Sequence, residues 1–481
     1  MAPRGIGRFL ATALSLTALL VGSSSLLGET SNAYATSTAH TTDNTPSATG
    51  WQGTWRAAPQ QPFPSGTSHD GMKNQTVRMV VHSSVGGSAL RVRLSNAYGT
   101  RPVLIGRVDV ASHQTGPVTV ANTDHMVTFN GRKSVMIPVG QEVVSDPVQM
   151  SVRDEQDLVV SVFLPEATGP TTWHHEAEST TYTSTPGDWT AEAGGSPYQT
   201  EIPSWFYLDG IDVMHRSLNG TVLAFGDSIT DGHYSTIDAN GRWPDWLARR
   251  ISPGQQFSVL NEGIGGNRVL TDSPTAGESA LHRFHRDMLN QIGVSDVIFL
   301  EGINDIGVGN TTGPYVSADQ LTAGMKQIIT EAHARDLKVF GGTLTPFQGA
   351  AYYTAAGEAE RGAVNKWIRT SGAFDGVIDF DAAVRDPNHP LSLNPLYDTG
   401  GGHLHPNDLG YKAMADAINP SLLTGRTRQI SKLPVGGAST GGGGSTAGVE
   451  GVGLLATGVA LLLLGATSLG FLGYRRRSVE G

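Results

Sequence analysis

The sequence contains no cysteine, so no disulfide framework holds the fold together and a large hydrophobic core must do so. Positive charge is also scarce: 33 Lys and Arg residues face 43 Asp and Glu residues, which leaves a net charge of −10. An acidic chain without a basic patch in its globular part is a poor partner for a nucleic acid. With 481 residues the chain has room for two folded domains.

Signals for a metal or an organic cofactor are weak. The run 174–176 (His-His-Glu) and the pair His403 and His405 have no third ligand at a set spacing, which favours ordinary strand or surface histidines. The glycine-rich loop 263–266 is not a dinucleotide fingerprint, because position 268 is arginine. We therefore expect no metal and no cofactor.

The N-terminus carries an export signal. Arg4 and Arg8 precede an apolar stretch of small residues, and residues 33–35 provide an A-x-A cleavage site. Residues 1–35 are therefore predicted to be a secretory signal peptide, and residues 36–50 a disordered N-terminal segment.

The C-terminus carries an anchoring signal. A Gly/Ser-rich linker (426–451) precedes an uncharged apolar stretch (452–474), which is long enough to cross a bilayer. Three arginines open the tail 475–481, so the positive-inside rule predicts a single-pass anchor with the tail in the cytoplasm and the folded part outside. A cell-wall sorting signal after residues 433–437 is the alternative, although its usual threonine is absent.

Residues 51–215 show the alternation of buried strands. Leu90, Val92 and Leu94 alternate with two arginines, residues 158–164 repeat the pattern, and turn residues separate the runs. This pattern predicts an antiparallel β-sandwich, for example a jelly roll. Four tryptophans of this region could form a sugar-binding platform or fill its core: Trp51, Trp55, Trp173 and Trp205.

Residues 216–425 alternate between strand and helix signals. A capping box at Ser317 and Gln320 opens a helical pattern that ends before the apolar run 337–340, and a second helix precedes 377–380. Repeated βα units predict a three-layer α/β domain with a parallel sheet.

The most informative stretch is 221–228, an apolar run that stops at Gly-Asp-Ser. Such a run predicts a buried parallel strand, and Gly226 allows the backbone to bend sharply behind it. Ser228 then lies at the carboxyl edge of the sheet, where open α/β sheets bind ligands, which makes it a candidate nucleophile.

Three later segments fit that interpretation. The loop 261–267 follows a strand and could point backbone N–H groups at an oxyanion. Residues 297–305 form another apolar strand that ends at Asn304, whose side chain offers an N–H donor. His405 lies in a loop ahead of a helical pattern, where it could reach Ser228.

Together these four segments resemble the blocks of the SGNH or GDSL family of serine esterases and lipases, in the secreted bacterial branch that carries an extra β-rich domain in front. The resemblance implies a flavodoxin-like fold and an ester substrate. It makes Ser228 the nucleophile and His405 the base, with Ser228, Gly266 and Asn304 as the oxyanion hole.

One position departs from the family pattern. The family's acid lies three residues before the histidine, and here that position is Gly402. Asp398 could fold back onto His405 through the intervening glycines, or a backbone carbonyl could orient the ring instead. We expect Asp398 to complete the site.

Three functions are open at this stage. The first is an extracellular carboxylic ester hydrolase that cleaves short acyl or acetyl esters, with a small acyl ester, a lipid or an acetylated glycan as its substrate. The second is a catalytically impaired cell-surface carbohydrate-binding protein on a hydrolase scaffold, and the third is a structural envelope component. The retained blocks favour the enzyme. The sequence makes no prediction of oligomeric state.

Overall fold

A computed structural model describes residues 50–252, 257–309 and 311–425, all of which belong to one compact unit. The predicted signal peptide, the segment before residue 50, the linker 426–451, the span 452–474 and the tail 475–481 lie outside the described residues. Within the described ranges, no helix is both long and apolar enough to cross a membrane.

The first part of the chain folds into short antiparallel strands, because apolar and polar side chains alternate along it. Its elements are β1 (Trp51–Arg56), α1 (Thr67–Asp70), β2 (Gln75–Ser83), β3 (Leu90–Ser95), β4 (Val103–Ile105), β5 (Arg107–Thr115), β6 (Val118–Thr119), β7 (His125–Val127), β8 (Val135–Ile137), β9 (Glu142–Val144), β10 (Gln156–Leu164), β11 (Trp173–His174), β12 (Thr181–Ser184), β13 (Tyr198–Ile202), β14 (Trp205–Phe206) and β15 (Leu208–Met214).

Two antiparallel sheets enclose the core of this part. One has the order β1-β15-β3-β9, and the other has the order β13-β12-β2-β10-β5-β6 with β7 paired to β5. Val92 and Ile211 of the first sheet share a cluster with Met79 and Val160 of the second. This β-rich part agrees with the predicted all-β domain in front of the α/β domain.

The four tryptophans are part of the buried interior. Trp51, Trp55, Trp173 and Trp205 are each less than a tenth exposed, and the rings of Trp55 and Trp205 meet edge to face at 4.9 Å. The alternative of an exposed aromatic sugar platform is therefore wrong for these four residues.

The second part alternates strands and helices. Its elements are β16 (Gly220–Gly226), α2 (Ser228–Asp231), α3 (Trp243–Ile251), β17 (Phe257–Gly263), α4 (Ala280–Phe284) with a π-helical turn (His285–Leu289), β18 (Val294–Leu300), α5 (Ile303–Gly309), α6 (Ala318–His333), β19 (Lys338–Gly342), α7 (Ala355–Thr370), β20 (Gly376–Ile378), α8 (Phe380–Val384), α9 (Asp408–Ala417) and a 3-10 turn (Pro420–Leu422).

The strands of this part form one parallel sheet in the order β17-β16-β18-β19-β20. Helix α9 packs on α3 and α8, and α6 packs with α4 and α7. The predicted three-layer α/β fold is confirmed. The strand order reverses between β16 and β18, and the carboxyl ends of strands at such a switch point form the usual ligand crevice of this architecture.

The β-rich part covers an edge of the parallel sheet. β17 is the edge strand, and β1 packs against it. The Val259 N–H on β17 donates to Ser84 Oγ at 3.1 Å, and Gly53 on β1 lies against Leu260. Covering an edge strand removes a surface that would otherwise pair with other chains.

Candidate active site

Ser228 follows β16 through a turn with no room for a side chain at Gly226. A Cβ on Gly226 would lie 2.2 Å from the Leu300 carbonyl oxygen. Asp227 then caps α2, because its carboxylate accepts a hydrogen bond of 2.9 Å from the Ile229 N–H. Ser228 thus becomes the first residue of α2, at the carboxyl edge of the sheet beside the switch point.

His405 lies in hydrogen-bonding contact with Ser228, with 2.8 Å between Nε2 and Oγ. Its loop is held by Asn407, which caps α9 and donates to the carbonyl oxygens of Leu396 and Asp398. An imidazole that accepts at Nε2 carries its own proton on Nδ1. This arrangement is the one that a general base for Ser228 requires.

The surroundings of His405 disfavour its charged form. Burial, together with the positive charge of His233, lowers the pKa of His405 to about 3, and Glu176 acts in the opposite direction. The ring is therefore neutral at pH 7 and able to accept a proton. The imidazolium that forms during turnover needs a compensating negative charge.

Gly266 lies after β17 in a loop that is anchored on both sides. The Gly265 N–H donates to Asp231 Oδ2 at 3.1 Å, and the Asn267 side chain donates to the carbonyl oxygens of Ala276 and Glu278. Gly266 has a φ of 72°, in the left-handed region that favours glycine. Within the described residues no acceptor takes its N–H, which is left available for an oxyanion.

Asn304 contacts the same loop from α5. Its Nδ2 donates to the Asn267 carbonyl oxygen at 3.0 Å, and its Oδ1 accepts from the Tyr352 hydroxyl at 3.1 Å. The amide orientation is thereby defined, and its second N–H is left for a ligand. Sequence reasoning had not singled out Tyr352, because no motif links it to the four blocks.

Arg283 of α4 ties together the strand ends beneath the site. It is fully buried and donates to the carbonyl oxygens of Gly226 and Glu262 and to Asn267 Oδ1, at 2.9, 2.8 and 2.8 Å. The ends of β16 and β17 and the loop after β17 are thus held by one side chain. No sequence signal pointed to Arg283, since only the fold brings these carbonyl groups together.

The Asp398 carboxylate forms no hydrogen bond or ion pair with His405, contrary to the expectation from the sequence. The chain does fold back at the three glycines, but the Asp398 carboxylate pairs with His403 Nδ1 at 2.5 Å. Within the described residues, no hydrogen bond or ion pair joins His405 to any carboxylate. The aspartate lies five residues before His403, and the turn between them places the nearer histidine, rather than His405, against the carboxylate.

The β-rich part contributes side chains to the site. His174 of β11 places Nε2 3.0 Å from Asp231 Oδ1 and Nδ1 2.9 Å from the Ala58 carbonyl oxygen. Burial disfavours the His174 imidazolium, but the Asp231 carboxylate outweighs it and the pKa of His174 is raised. Glu176 pairs with His233, the residue that faces His405. The sequence had marked the run 174–176 only as a weak metal pair.

No metal centre accompanies these residues: in the ranges that the structure covers, no group of three or more His, Asp or Glu residues is arranged to hold a metal ion. His174 is instead buried in an ion pair.

The comparisons with known proteins bear on the second part of the chain. The family model described as "GDSL-like Lipase/Acylhydrolase family" matches residues 224–413. A search of curated proteins finds no match.

Solved structures similar to the chain include three bacterial proteins. A carbohydrate acetylesterase family member from Sinorhizobium meliloti is 16% identical, with 42% of this chain and 97% of that chain covered and a TM-score of 0.34. A GDSL-like lipase from Bacteroides thetaiotaomicron is 21% identical, with 42% and 88% covered and a TM-score of 0.31. A member of the lipolytic protein G-D-S-L family from Veillonella parvula is 18% identical, with 42% and 96% covered and a TM-score of 0.30.

Proposed function

We propose that the protein is an exported serine esterase acting on short acyl or acetyl esters. The match of residues 224–413 to the GDSL-like lipase/acylhydrolase family model supports an ester hydrolase in general. Ser228 is the nucleophile and His405 the general base. The observation that carries the proposal is the 2.8 Å contact between Ser228 Oγ and His405 Nε2 at the switch point of the sheet.

The first half of the reaction transfers the acyl group to the enzyme. His405 Nε2 takes the proton from Ser228 Oγ as the oxygen attacks the ester carbonyl carbon. The oxyanion that forms accepts hydrogen bonds from the Ser228 and Gly266 N–H groups and from the Asn304 amide. Collapse of this intermediate breaks the bond to the alcohol oxygen, which leaves with the proton from His405.

The second half transfers the acyl group to water. His405 now takes a proton from a water molecule, whose oxygen attacks the acyl carbon, and the same donors receive the oxyanion. Collapse returns the proton to Ser228 Oγ and releases the carboxylic acid. No metal and no organic cofactor is needed for either half.

The proposed location follows from the ends of the sequence. The export signal over 1–35 and the apolar span 452–474 support an enzyme on the outer face of the cell membrane, with anchorage to the cell wall as the alternative. Detection of the mature protein in a membrane fraction, rather than covalently bound to peptidoglycan, distinguishes the two.

One observation favours a second candidate function. Within the described residues His405 has no hydrogen bond or ion pair to a carboxylate, as in a catalytically impaired protein, and such a protein could serve as a cell-surface carbohydrate-binding protein. The burial of the four tryptophans removes the surface that had supported sugar binding.

The test is hydrolysis of chromogenic acetyl, butyryl and octanoyl esters by residues 36–435, in wild type and in the Ser228→Ala and Asn304→Ala variants. We expect fastest turnover of the acetyl ester and complete dependence on Ser228. Removing an oxyanion donor lowers turnover by about a hundred- to thousandfold, so Asn304→Ala should be nearly inactive.

Labelling by a serine-directed fluorophosphonate gives the control. Wild type and Ser371→Ala, which changes an exposed serine, should both be labelled, whereas Ser228→Ala should not. Absence of labelling and of ester hydrolysis in folded wild type would rule out the esterase and favour the binding protein.

A further inference from the structure

The structure leaves one requirement of the proposed mechanism unmet. His405 becomes an imidazolium in both halves of the reaction, and classical triads stabilise that charge with a carboxylate at the other ring nitrogen. Asp398 does not do so, because it pairs with His403. The charge must therefore be compensated from another part of the fold.

The side chain that faces His405 is His233, which follows α2. The two rings meet edge to face, with 4.7 Å between their centroids and an angle of 74°. The His233 N–H donates to the Ser228 carbonyl oxygen at 3.0 Å, and its carbonyl oxygen accepts from the Tyr411 hydroxyl at 2.7 Å. The backbone of His233 is thus bonded on both sides.

Two carboxylates from the β-rich part flank His233. Its Nδ1 lies 3.1 Å from Glu176 Oε2 and 3.5 Å from Glu178 Oε1. The contact between His233 Nδ1 and Glu176 Oε2 is an ion pair and not a well-aligned hydrogen bond, because neither atom has a hydrogen-bond partner of good geometry among the described residues. Burial opposes the His233 imidazolium, but the two carboxylates outweigh it and raise the pKa of His233 to about 10.

The segment that carries Glu176 is held against the α/β part of the chain. His174, two residues earlier, forms the buried ion pair with Asp231. Glu176 also approaches the loop after β17 so closely that a Cβ on Gly265 would lie 2.4 Å from its Oε2. The absence of a side chain at Gly265 therefore leaves room for the Glu176 carboxylate beside the catalytic residues.

We propose that Glu176 is a positioning residue for catalysis, through which the β-rich part supplies the negative charge that stabilises the His405 imidazolium, acting across the His233 ring. Glu176 is the group whose negative charge favours the His405 imidazolium, against burial and the positive charge of His233. This inference rests on the proposed esterase function and assigns the role that Asp398 does not fill.

Other titratable groups near His405 do not provide this charge. Tyr234 faces the ring at 5.5 Å, and His175 lies 3.7 Å from Glu176 with its pKa lowered, chiefly by burial. Asp231 is already paired with His174, and Asp398 with His403.

The test compares the pH dependence of kcat/KM in wild type, Glu176→Gln and His233→Gln. Removing the Glu176 charge should reduce kcat on the order of ten- to hundredfold with little change in KM, because a lower His405 pKa makes a weaker base. The acidic limb of the profile should move to lower pH in Glu176→Gln. It should move to higher pH in His233→Gln, because a neighbouring positive charge is lost.

Glu178→Gln is the matched control, because it also removes one carboxylate beside His233, but the one whose oxygen lies farther from the ring. We expect a smaller shift in the same direction as Glu176→Gln. Glu176→Asp should restore part of the activity. A loss of activity with an unmoved acidic limb in both Glu176→Gln and His233→Gln would contradict the proposal and leave a structural role only.

An NMR titration of the His405 ring in wild type and Glu176→Gln gives a readout that needs no turnover. If wild type hydrolyses no ester and Ser228 is not labelled, the proposed function fails, and the inference with it. If wild type is an active Ser228-dependent esterase and Glu176→Gln keeps its profile and its His405 titration, only the present inference fails.

Discussion

At the scale of single residues, the site combines a serine–histidine pair with unusual neighbours around the histidine ring. Ser228 and His405 have the contact that acyl transfer needs, while in the part of the chain that the structure describes no carboxylate bonds to the histidine ring. The nearest aspartate of the loop, Asp398, forms an ion pair with the half-exposed His403 instead. A carboxylate that stabilises the His405 imidazolium therefore has to be sought outside this loop.

Asp398→Asn is expected to leave turnover almost unchanged. A partly exposed ion pair contributes about 0–1 kcal/mol, so its loss should alter kcat by no more than about fivefold. The measurement is hydrolysis of the acetyl ester by Asp398→Asn, with His405→Ala as the inactive reference. A loss of a hundredfold or more, with an intact fold by circular dichroism, would return Asp398 to the catalytic machinery.

At the scale of elements, strand ends and helix caps place the functional groups. The predicted capping box is formed at the start of α6, where Ser317 and Gln320 bond reciprocally. The turn after β16 places Ser228, and the capped start of α9 holds the loop of His405. Arg283 then joins the ends of β16 and β17, so the catalytic loops share one buried anchor.

In the β-rich part, a histidine links two neighbouring strands. His82 on β2 lies 2.6 Å from Asp157 Oδ1 on β10 and 3.0 Å from Glu155 Oε2. Burial disfavours its charged form, but the two carboxylates outweigh it and raise the pKa of His82 to about 9. The unfolded chain has an ordinary histidine pKa of about 6.5. The ion pairs therefore stabilise the fold fully below about pH 6.5, and this contribution is lost as the pH rises towards 9.

The His82→Gln variant should be less stable than wild type at pH 6, by at most about 3 kcal/mol from the size of the shift. The difference should shrink as the pH rises from 6.5 to 9, because wild type loses the charge that the variant never had. Urea unfolding at several pH values measures it, with His389→Gln, a change at an exposed histidine, as the control. A difference that is independent of pH would show that packing, not charge, is lost.

At the scale of the whole molecule, the β-rich part and the α/β part are joined by buried polar contacts. Arg56 on β1 donates to Gln291 Oε1 at 2.6 Å and to Asp212 on β15 at 2.6 Å. Arg242 donates to the Ala177 carbonyl oxygen. Separating the two parts would expose such groups without partners, which is costly for buried charges.

Residues 36–435 should therefore unfold in one cooperative transition. We expect a single calorimetric peak whose enthalpy matches the van't Hoff value, and Arg56→Met should lower its midpoint without splitting it. The loss of a buried charged hydrogen bond corresponds to about 1–3 kcal/mol. Lys412→Ala, which removes an exposed ion pair, serves as the control. Two separate transitions would mean that the parts are stable independently.

The sequence alone determined the two kinds of architecture, because alternation and βα repeats are local patterns that the chain carries wherever it folds. It also singled out Ser228, Gly266, Asn304 and His405, since each follows a strand or precedes a helix in a recognisable block. The order of these four residues along the chain was enough to propose that they form one site.

Only the tertiary structure decided what surrounds that constellation. Asp398 was a reasonable candidate by its position in the loop, yet the turn through the glycines brings it to His403. Glu176 and His174 belong to a part of the chain whose pattern is that of a sandwich, and nothing local relates them to Ser228. Long-range packing of β1 and β11 against the α/β part brings Glu176 and His174 close to the site of Ser228. No local pattern in the sequence relates these segments to Ser228, so only the folded structure shows that they lie near it.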